Sequence, residues 1–260
     1  MKRLKQVGKR MLPSGIIDIL YRIKYRNEAL TSANVYIDAL RGKSGVEIGG
    51  PSATIFNFIL PIYEAISHLD GVNFSTSTMW EGKISEDSKY NYCRKKCGRQ
   101  YITETTDLSI FDTNRYDFVV SSNCLEHVAN PLKALVEWVR VVKPGGYILL
   151  VLPNKTSNFD NKRSITSFSH ILKDFENEIT EYDLTHMDEI LRLHDLSEDP
   201  PARNLNNFKV RCLDNFQNRG MHHHVFDMQL IERMFDYLNI LLEQSDTTNR
   251  DFYALGNIVK

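Results

Sequence analysis

The fold of this chain depends on a short stretch that reads GVEIGGPS, from Gly45 to Ser52. Its apolar first half carries one acid, Glu47, and predicts a strand that breaks at Gly49 and Gly50. An apolar run over residues 53–60 follows and predicts the start of a helix. A strand, a glycine turn and a helix N-terminus bring backbone N–H groups close to a nucleotide-like ligand. Glycine is needed in such a turn because a Cβ would block close approach or forbid a positive φ.

Composition places the chain among ordinary globular proteins. It has 260 residues, of which 42% are hydrophobic and 25% are charged, enough for one large α/β domain or for one domain with a sizeable insertion. The net charge of −1 gives no bulk attraction to nucleic acid or to an anionic membrane. The basic N-terminus lacks the apolar core of a signal peptide, so we expect a cytoplasmic protein with at most peripheral membrane contact. The composition predicts no particular oligomeric state.

Strand-like and helical segments alternate over residues 44–154, which predicts right-handed βαβ units and a parallel sheet. A helix begins at Asn130, with Pro131 at its first position, and Pro144 ends it. The five predicted strands are 44–48, 70–74, 101–103, 116–122 and 147–152, and a further helix is predicted over 53–68. Residues 75–100 have little apolar pattern and are predicted to form a long excursion.

The end of the chain predicts a helix over 228–237 and two strands, 238–244 and 252–259, that form an antiparallel hairpin at the edge of the sheet. Between them and the parallel strands, residues 155–227 are polar and contain six of the eight histidines. We therefore expect N-terminal cap helices over 1–43, one nucleotide-binding domain formed by 44–154 and 228–260, and a helical lid insertion over 155–227.

Three motifs in this order resemble those of class I S-adenosylmethionine (SAM)-dependent methyltransferases. They are VEIGGPS at 46–52, RYDFVVSSNCLEHVANP at 115–131 and VVKPGGYILLVLPN at 141–154. The resemblance implies a doubly wound, Rossmann-like sheet of seven strands, mostly parallel, with SAM as the cofactor and S-adenosylhomocysteine as the product. The insertion, with NFDNKRSITSF, LRLHDLSEDPPA and HHHVFD, resembles bacterial methyltransferases of surface-polysaccharide biosynthesis.

The same resemblance implies the cofactor contacts. Glu47 would accept a hydrogen bond from the methionine ammonium, directly or through water, while Gly49 and Gly50 would let the backbone approach. The family has an acid for the ribose hydroxyls at the end of strand two. Here Asn73 occupies that place, so either its amide makes the contact or Glu81 replaces it. The other predicted contacts are Asp107 and Leu108 at the adenine, with Ser75 and Asn123.

A Rossmann dehydrogenase is the competing interpretation of a glycine turn. Its fingerprint is G-x-G-x-x-G, whereas this turn contains only Gly49 and Gly50. The sequence therefore favours a methyltransferase.

The acceptor side is predicted from His127, which follows the fourth strand, and from the basic residues of the insertion. A hydroxyl acceptor needs a base, for which His127, His222 and His224 are the candidates; an anionic phosphate needs positive charge instead. The candidate acceptor-binding residues are Arg163, Arg211, Arg219 and His223. The histidines are equally compatible with a packed polar junction, and the arginines with surface positions or salt bridges in the lid.

No metal is predicted. In some methyltransferases with an acid-x-x-Glu-His pattern, the residues equivalent to Glu126 and His127 help to bind a divalent ion. Here Asn123 stands in place of the first acid.

These observations predict an O-methyltransferase for a polar acceptor, such as a phosphate- or phosphoramidate-bearing sugar or a nucleotide-activated precursor of a capsular polysaccharide. A small-molecule methyltransferase outside glycan pathways, or a catalytically silent partner protein with this fold, are the alternatives. A nucleic-acid methyltransferase is not favoured, because the chain has neither a basic surplus nor an amino-methylation motif of the Asn/Asp-Pro-Pro-Tyr type.

Overall fold

The computed structural model describes residues 20–21, 23–25, 28–94 and 96–259. Most of the predicted cap segment, 1–43, lies outside the described residues. Its described part includes helix α1, Ala33–Leu40, which buries Tyr36 and Leu40.

The centre of the molecule is a sheet of eight strands in the order β5-β6-β2-β1-β7-β8-β10-β9, and a separate pair of short strands, β3 and β4, lies outside it. The strands are β1 Ser44–Ile48, β2 His68–Asn73, β3 Ser77–Thr78, β4 Gly82–Lys83, β5 Lys89–Cys93, β6 Lys96–Ile102, β7 Tyr116–Ser122, β8 Val142–Pro153, β9 Ile240–Thr247 and β10 Asp251–Ile258. Strands β6, β2, β1, β7 and β8 are parallel, while β10 runs antiparallel to β8 and β9. This confirms the mostly parallel α/β sheet with its antiparallel edge hairpin.

The predicted count of seven strands is wrong by one, because β5 pairs antiparallel with β6 at the other edge. This strand lies in the 75–100 segment. Its residues alternate between exposed and buried, with Tyr90 and Tyr92 facing inward. The alternation is confined to the short run Lys89–Cys93, which is close to the shortest run from which a half-buried strand can be predicted.

The described helices are α1, α2 Ile62–Ala65, α3 Pro131–Val141, α4 Phe168–Glu176, α5 Met187–Leu193, α6 Leu205–Leu213, α7 Asn215–Asn218 and α8 Met228–Tyr237. The single helix predicted over 53–68 is wrong. A wide helical turn, Ile55–Ile59, is followed by an extended Leu60 and then by α2. Pro61 causes the break, because proline disfavours a helical conformation of the residue before it.

Helix α3 begins as predicted. The side chain of Asn130 accepts a hydrogen bond from the Lys133 N–H (3.1 Å), and Pro131 opens the first turn. The stripe that includes Leu132, Leu135 and Trp138 is fully buried. It packs in one core with α8 on one face of the sheet.

A second core covers the other face of the sheet and includes Tyr36, Phe56 and Tyr63. The insertion has a small core of its own, which includes Ile190 and Phe208. In the described part of the chain, every helix is too short or too polar to cross a membrane.

Candidate functional site

A cavity of about 430 Å³ opens at the carboxyl ends of the parallel strands. Its volume is within the range of small-molecule sites. The residues that line it follow β1, β2, β6 and β7, or come from the insertion: Ile48, Gly49, Pro51, Ser52, Ala53, Thr54, Ile55, Val72, Asn73, Phe74, Trp80, Glu81, Thr103, Glu104, Thr105, Ser122, Asn123, Cys124, His127, Val128, Glu181 and Arg219. The connections leave β1 and β7 in opposite directions along the sheet, and ligands of open α/β sheets bind at this reversal.

The glycine turn forms one wall of the cavity. Gly49 has a φ of +80°, and a Cβ there would lie 2.6 Å from Cys124 Sγ. A Cβ on Gly50 would lie 2.3 Å from Glu47 Oε1 and from the Tyr90 hydroxyl oxygen. Both positions therefore require glycine. Gly49 lines the cavity, whereas Gly50 faces the buried groups behind the turn.

Glu47 lies behind the turn, fully buried and outside the cavity lining. The Ser52 N–H donates to Oε1 (2.8 Å), and the hydroxyls of Tyr63 and Tyr90 donate to Oε2 at 2.5 and 2.7 Å. Burial raises the pKa of Glu47 against the opposing effect of these donors. The carboxylate thus fixes the conformation of the glycine turn. Because it is not exposed to the cavity, the geometry does not support the predicted direct contact with the methionine ammonium.

Asn73, one of the two candidate ribose contacts, ends β2 and lines the cavity. Its amide donates to the Gly50 carbonyl (3.0 Å), and its oxygen accepts from Trp80 Nε1 (3.4 Å). Glu81 also lines the cavity and is exposed, with a pKa raised by partial burial. Because the Asn73 side chain is already paired, Glu81 is the freer of the two ribose candidates. Ser75 is not part of the lining and accepts from the Ser77 N–H (3.2 Å).

Glu104 and Thr105, rather than Asp107 and Leu108, line the cavity after β6. Asp107 is exposed and accepts from the Ser109 N–H (3.1 Å), while Leu108 is buried in the core beneath α3. We therefore move the proposed adenine contact to Glu104 and Thr105. Glu104 was not predicted from the sequence, although it lies just after Thr103 beyond the carboxyl end of β6, where ligands of open α/β sheets bind.

Asn123 lines the cavity after β7 with a φ of +49°, a conformation that asparagine tolerates better than most residues. Its N–H donates to the Val151 carbonyl of β8 (3.0 Å). The turn after β7 is thereby held against the next strand.

Among the predicted acceptor arginines, Arg219 alone lines the cavity. Its guanidinium bonds Glu104 (2.6 Å) and Glu181 (3.0 Å) and stacks on Phe74. Arg219 thus joins the insertion to the segment after β6, and its charge is shared by two carboxylates.

Arg163 and Arg211 lie outside the cavity lining. Arg163 is 2% exposed, pairs with Asp160 (3.0 Å) and donates to the carbonyls of His222 and His223. Arg211 pairs with Asp199. Both arginines are salt-bridge partners inside the insertion, which is the alternative that the sequence left open.

His127 lines the cavity and belongs to a buried polar group with Glu126, His222 and Asp160. Its Nδ1 faces the Met221 carbonyl (3.2 Å), so the neutral ring donates there and keeps its lone pair on Nε2. Burial, together with the nearby His222, lowers the pKa of His127 to about 3. The imidazole of His127 is therefore neutral at physiological pH.

Glu126 lies between the two histidines. Its Oε1 is 4.0 Å from His127 Nε2 and 4.0 Å from His222 Nε2, and burial raises its pKa to about 7. The Nδ1 of His222 bonds Asp160 Oδ2 at 2.6 Å, an arrangement that orients the ring and turns Nε2 toward Glu126. Glu126, His127 and His222 also have atoms close enough to hold a cation.

His223 and His224 point away from the cavity. His223 Nε2 faces the amide of Asn215 (3.0 Å), and burial lowers its pKa to about 3. His224 is completely buried, with Nε2 facing the Ala129 carbonyl (3.1 Å). Neither residue reaches the cavity, so their predicted roles at the acceptor find no support in this geometry.

The middle of the chain matches a known protein family. Residues 71–150 match the model of a family described as a methyltransferase domain. This confirms the predicted enzyme class, a SAM-dependent methyltransferase, and SAM as its cofactor. A search of curated protein sequences finds no match to the chain.

Several solved structures resemble the chain. A methyltransferase from Methanosarcina mazei has a TM-score of 0.48 at 13% identity, over 86% of this chain and 97% of its own. One from Archaeoglobus fulgidus has a TM-score of 0.47 at 13% identity, over 92% of this chain and 94% of its own. One from Aquifex aeolicus has a TM-score of 0.46 at 13% identity, over 90% and 93%.

The cavity fits SAM on three observations. Gly49 lets the backbone approach a ligand where a Cβ would intrude. Asn73 and Glu81 offer polar groups beside β2, and Glu104 and Thr105 do so beside β6. Among the described lining residues, three are carboxylates (Glu81, Glu104, Glu181) and one is a guanidinium, a balance that suits a cationic sulfonium.

Proposed function

We propose that this methyltransferase transfers the SAM methyl group to a hydroxyl oxygen of a polar acceptor, with His127 as the group that receives the hydroxyl hydrogen bond. The observation that carries the proposal is the neutral imidazole of His127, which lines the cavity with its lone pair on Nε2. The residues around the cavity would hold cofactor and acceptor in line for the displacement, which lowers the barrier by proximity and orientation.

Bound SAM would supply an electrophilic methyl group, and the chain would supply alignment and a place for the proton. The acceptor hydroxyl donates to His127 Nε2, which strengthens the oxygen as a nucleophile. Because the pKa of His127 is low, we propose that the proton passes through one bridging water to Glu126, whose Oε1 is 4.0 Å from His127 Nε2 and whose pKa of about 7 suits a group that gains and loses a proton near neutral pH. The pair of His222 and Asp160 would then stabilise the protonated network.

The charges of the site favour a hydroxyl over a phosphate as the reacting group. Among the described residues that line the cavity, the guanidinium of Arg219 is shared by Glu104 and Glu181. An anionic phosphate or phosphoramidate would meet these carboxylates without a free cation to offset them. We therefore rank the phosphate-bearing acceptor below an uncharged hydroxyl.

Sugars are the first acceptors that we propose to test, because the insertion resembles that of enzymes of surface-polysaccharide biosynthesis. A nucleotide-activated sugar and a small molecule outside glycan pathways are the next classes. The insertion, over 155–227, would cover the acceptor, since Glu181 and Arg219 bring it to the cavity.

Isothermal titration calorimetry with SAM tests the cofactor site, and release of S-adenosylhomocysteine tests turnover on matched pairs of an alcohol and its phosphate monoester. We expect SAM binding and a preference for the alcohol. With an active acceptor, His127→Ala should lower kcat by about 10²–10⁴-fold and leave the Kd for SAM within about twofold. His68→Ala, which removes a half-exposed histidine on β2, is the matched control. Absence of SAM binding at millimolar concentration, or full turnover by His127→Ala, would refute the proposal.

A further inference from the structure

A second group of histidines lies in the insertion, outside the cavity lining. Its four members have ligand atoms that all lie within 4.8 Å of one another: His170, Asp174, His186 and His224. We call these four residues the insertion cluster. They come from three separate segments, which are helix α4, the residue before α5, and the extended run before α8.

The distances within the insertion cluster are close to, and in two cases slightly shorter than, those between the ligands of a tetrahedral ion. His170 Nε2 is 3.1 Å from His186 Nε2 and 3.2 Å from Asp174 Oδ2. The His224 ring also lies beside Asp174, with its Nε2 3.6 Å from Oδ2. Nitrogen and oxygen ligands placed tetrahedrally at the usual bond lengths from Zn²⁺ are roughly 3.3–3.6 Å apart.

Hydrogen bonding leaves this cluster incompletely satisfied. Asp174 Oδ2 and His224 Nδ1 are buried and have no hydrogen-bond partner among the described residues. Such groups carry a desolvation cost that a ligand would offset. His224 Nε2 also faces the Ala129 carbonyl (3.1 Å). With Nε2 paired to this carbonyl, the unpaired Nδ1 is the nitrogen that His224 would offer to an ion.

The neighbouring environment holds the ligands in place without any metal. Asn130, the N-cap of α3, donates from its amide to the Asp174 carbonyl (3.0 Å). This hydrogen bond ties the insertion cluster to the start of α3, and His127 lies shortly before Asn130 in the chain. Its imidazole nitrogens and carboxylate are the donor types that Zn²⁺ accepts.

We propose that the insertion cluster binds one Zn²⁺ ion. Four protein ligands close the coordination shell, so the ion has a structural role. It joins α4, which packs in the core of α3 and α8, to α5 and the run before α8, which contribute to the small core of the insertion. The free energy of zinc binding then contributes to folding of the insertion. This site is separate from the Glu126, His127 and His222 group and independent of the acceptor.

The test uses the full-length protein, depleted of metal with a chelator and then titrated with Zn²⁺ and, in parallel, with Co²⁺. We expect one ion per chain by elemental analysis and the intense visible absorption of tetrahedral Co²⁺. His186→Gln and Asp174→Asn should each weaken Zn²⁺ binding by about 100-fold or more, at least the effect of losing an outer-shell partner. Asp174→Asn preserves side-chain size and serves if His186→Gln does not fold.

Two controls locate the ion. His68→Gln removes a histidine that pairs with Asp70 outside the insertion, and it should bind Zn²⁺ like the wild type. His222→Gln should also retain one ion, because His222 belongs to the other group. Failure of the wild type to bind one Zn²⁺ at micromolar concentration, unchanged binding in both cluster variants, or loss of the ion in His222→Gln would each overturn the proposal.

Discussion

Substitution of Gly49 by alanine separates the conformational role of this glycine from its role in cofactor approach. The residue has a φ of +80°, and a Cβ would lie 2.6 Å from Cys124 Sγ and 2.8 Å from Cys124 Cβ. Left-handed backbone costs a non-glycine residue about 1–2 kcal/mol. The overlap with Cys124 adds the cost of overpacking, about 1–3 kcal/mol. We therefore expect Gly49→Ala to lower the free energy of unfolding by about 2–5 kcal/mol.

Gly145→Ala is the matched control. Gly145 has a φ of +73°, but a Cβ there would meet no atom within 4 Å, and the residue is not part of the cavity lining. Its substitution should cost only the backbone contribution, about 1–2 kcal/mol. The Kd for SAM should stay unchanged.

A double variant, Gly49→Ala with Cys124→Ala, completes the design. Removing Sγ relieves the overlap, so the free energy of unfolding should recover part of the overpacking cost. The new methyl group still projects from a wall of the cavity, so we expect the Kd for SAM to remain at least about tenfold weaker, equivalent to about 1.4 kcal/mol. Urea unfolding and calorimetry give the two quantities. Wild-type SAM affinity in either Gly49 variant would refute the placement of the cofactor against this glycine.

Three further variants test the energetics of the fold and the site. Burial raises the pKa of Glu126 from 4.5 to about 7, so the folded state retains a proton that the unfolded state releases. The free energy of unfolding of the wild type, measured in urea relative to Glu126→Gln, should therefore fall by about 2–3 kcal/mol between pH 5 and pH 8. A difference between the two proteins that does not depend on pH would contradict this prediction. Asn130→Ala removes the cap on the Lys133 N–H and should cost about 1–2 kcal/mol in the same assay; an unchanged midpoint would count against the cap. Trp138→Phe removes the indole donor to the buried Thr105 hydroxyl (2.8 Å) and should lower the free energy of unfolding by about 1–3 kcal/mol. A lower thermal midpoint would support this prediction, and an unchanged midpoint would contradict it.

The parallel part of the fold could be predicted from sequence because its signals are local. The run before Gly49 and the Asn130-Pro131 pair each specify a strand end or a helix start through their own backbone chemistry. Strand β5 could not be predicted in this way, because Tyr90 and Tyr92 become buried only when β5 pairs with β6 in the folded sheet.

The site was predicted less completely than the fold, because side-chain partners are brought together by tertiary structure. Glu47 was expected at the cofactor, but its carboxylate accepts hydrogen bonds from Tyr63 and Tyr90 instead. These tyrosines lie 16 and 43 residues away along the chain. Arg163 was expected at an anion, yet Asp160 and two backbone carbonyls hold it inside the insertion. No local pattern distinguishes a ligand-binding arginine from one that is already paired.

The most direct test of the central claim is a crystal structure of the protein with S-adenosylhomocysteine. We expect its density in the cavity, with the thioether sulfur near Gly49 and the adenine beside Glu104 and Thr105. Density elsewhere on the molecule, or an adenine beside Asp107, would contradict the proposed cofactor site.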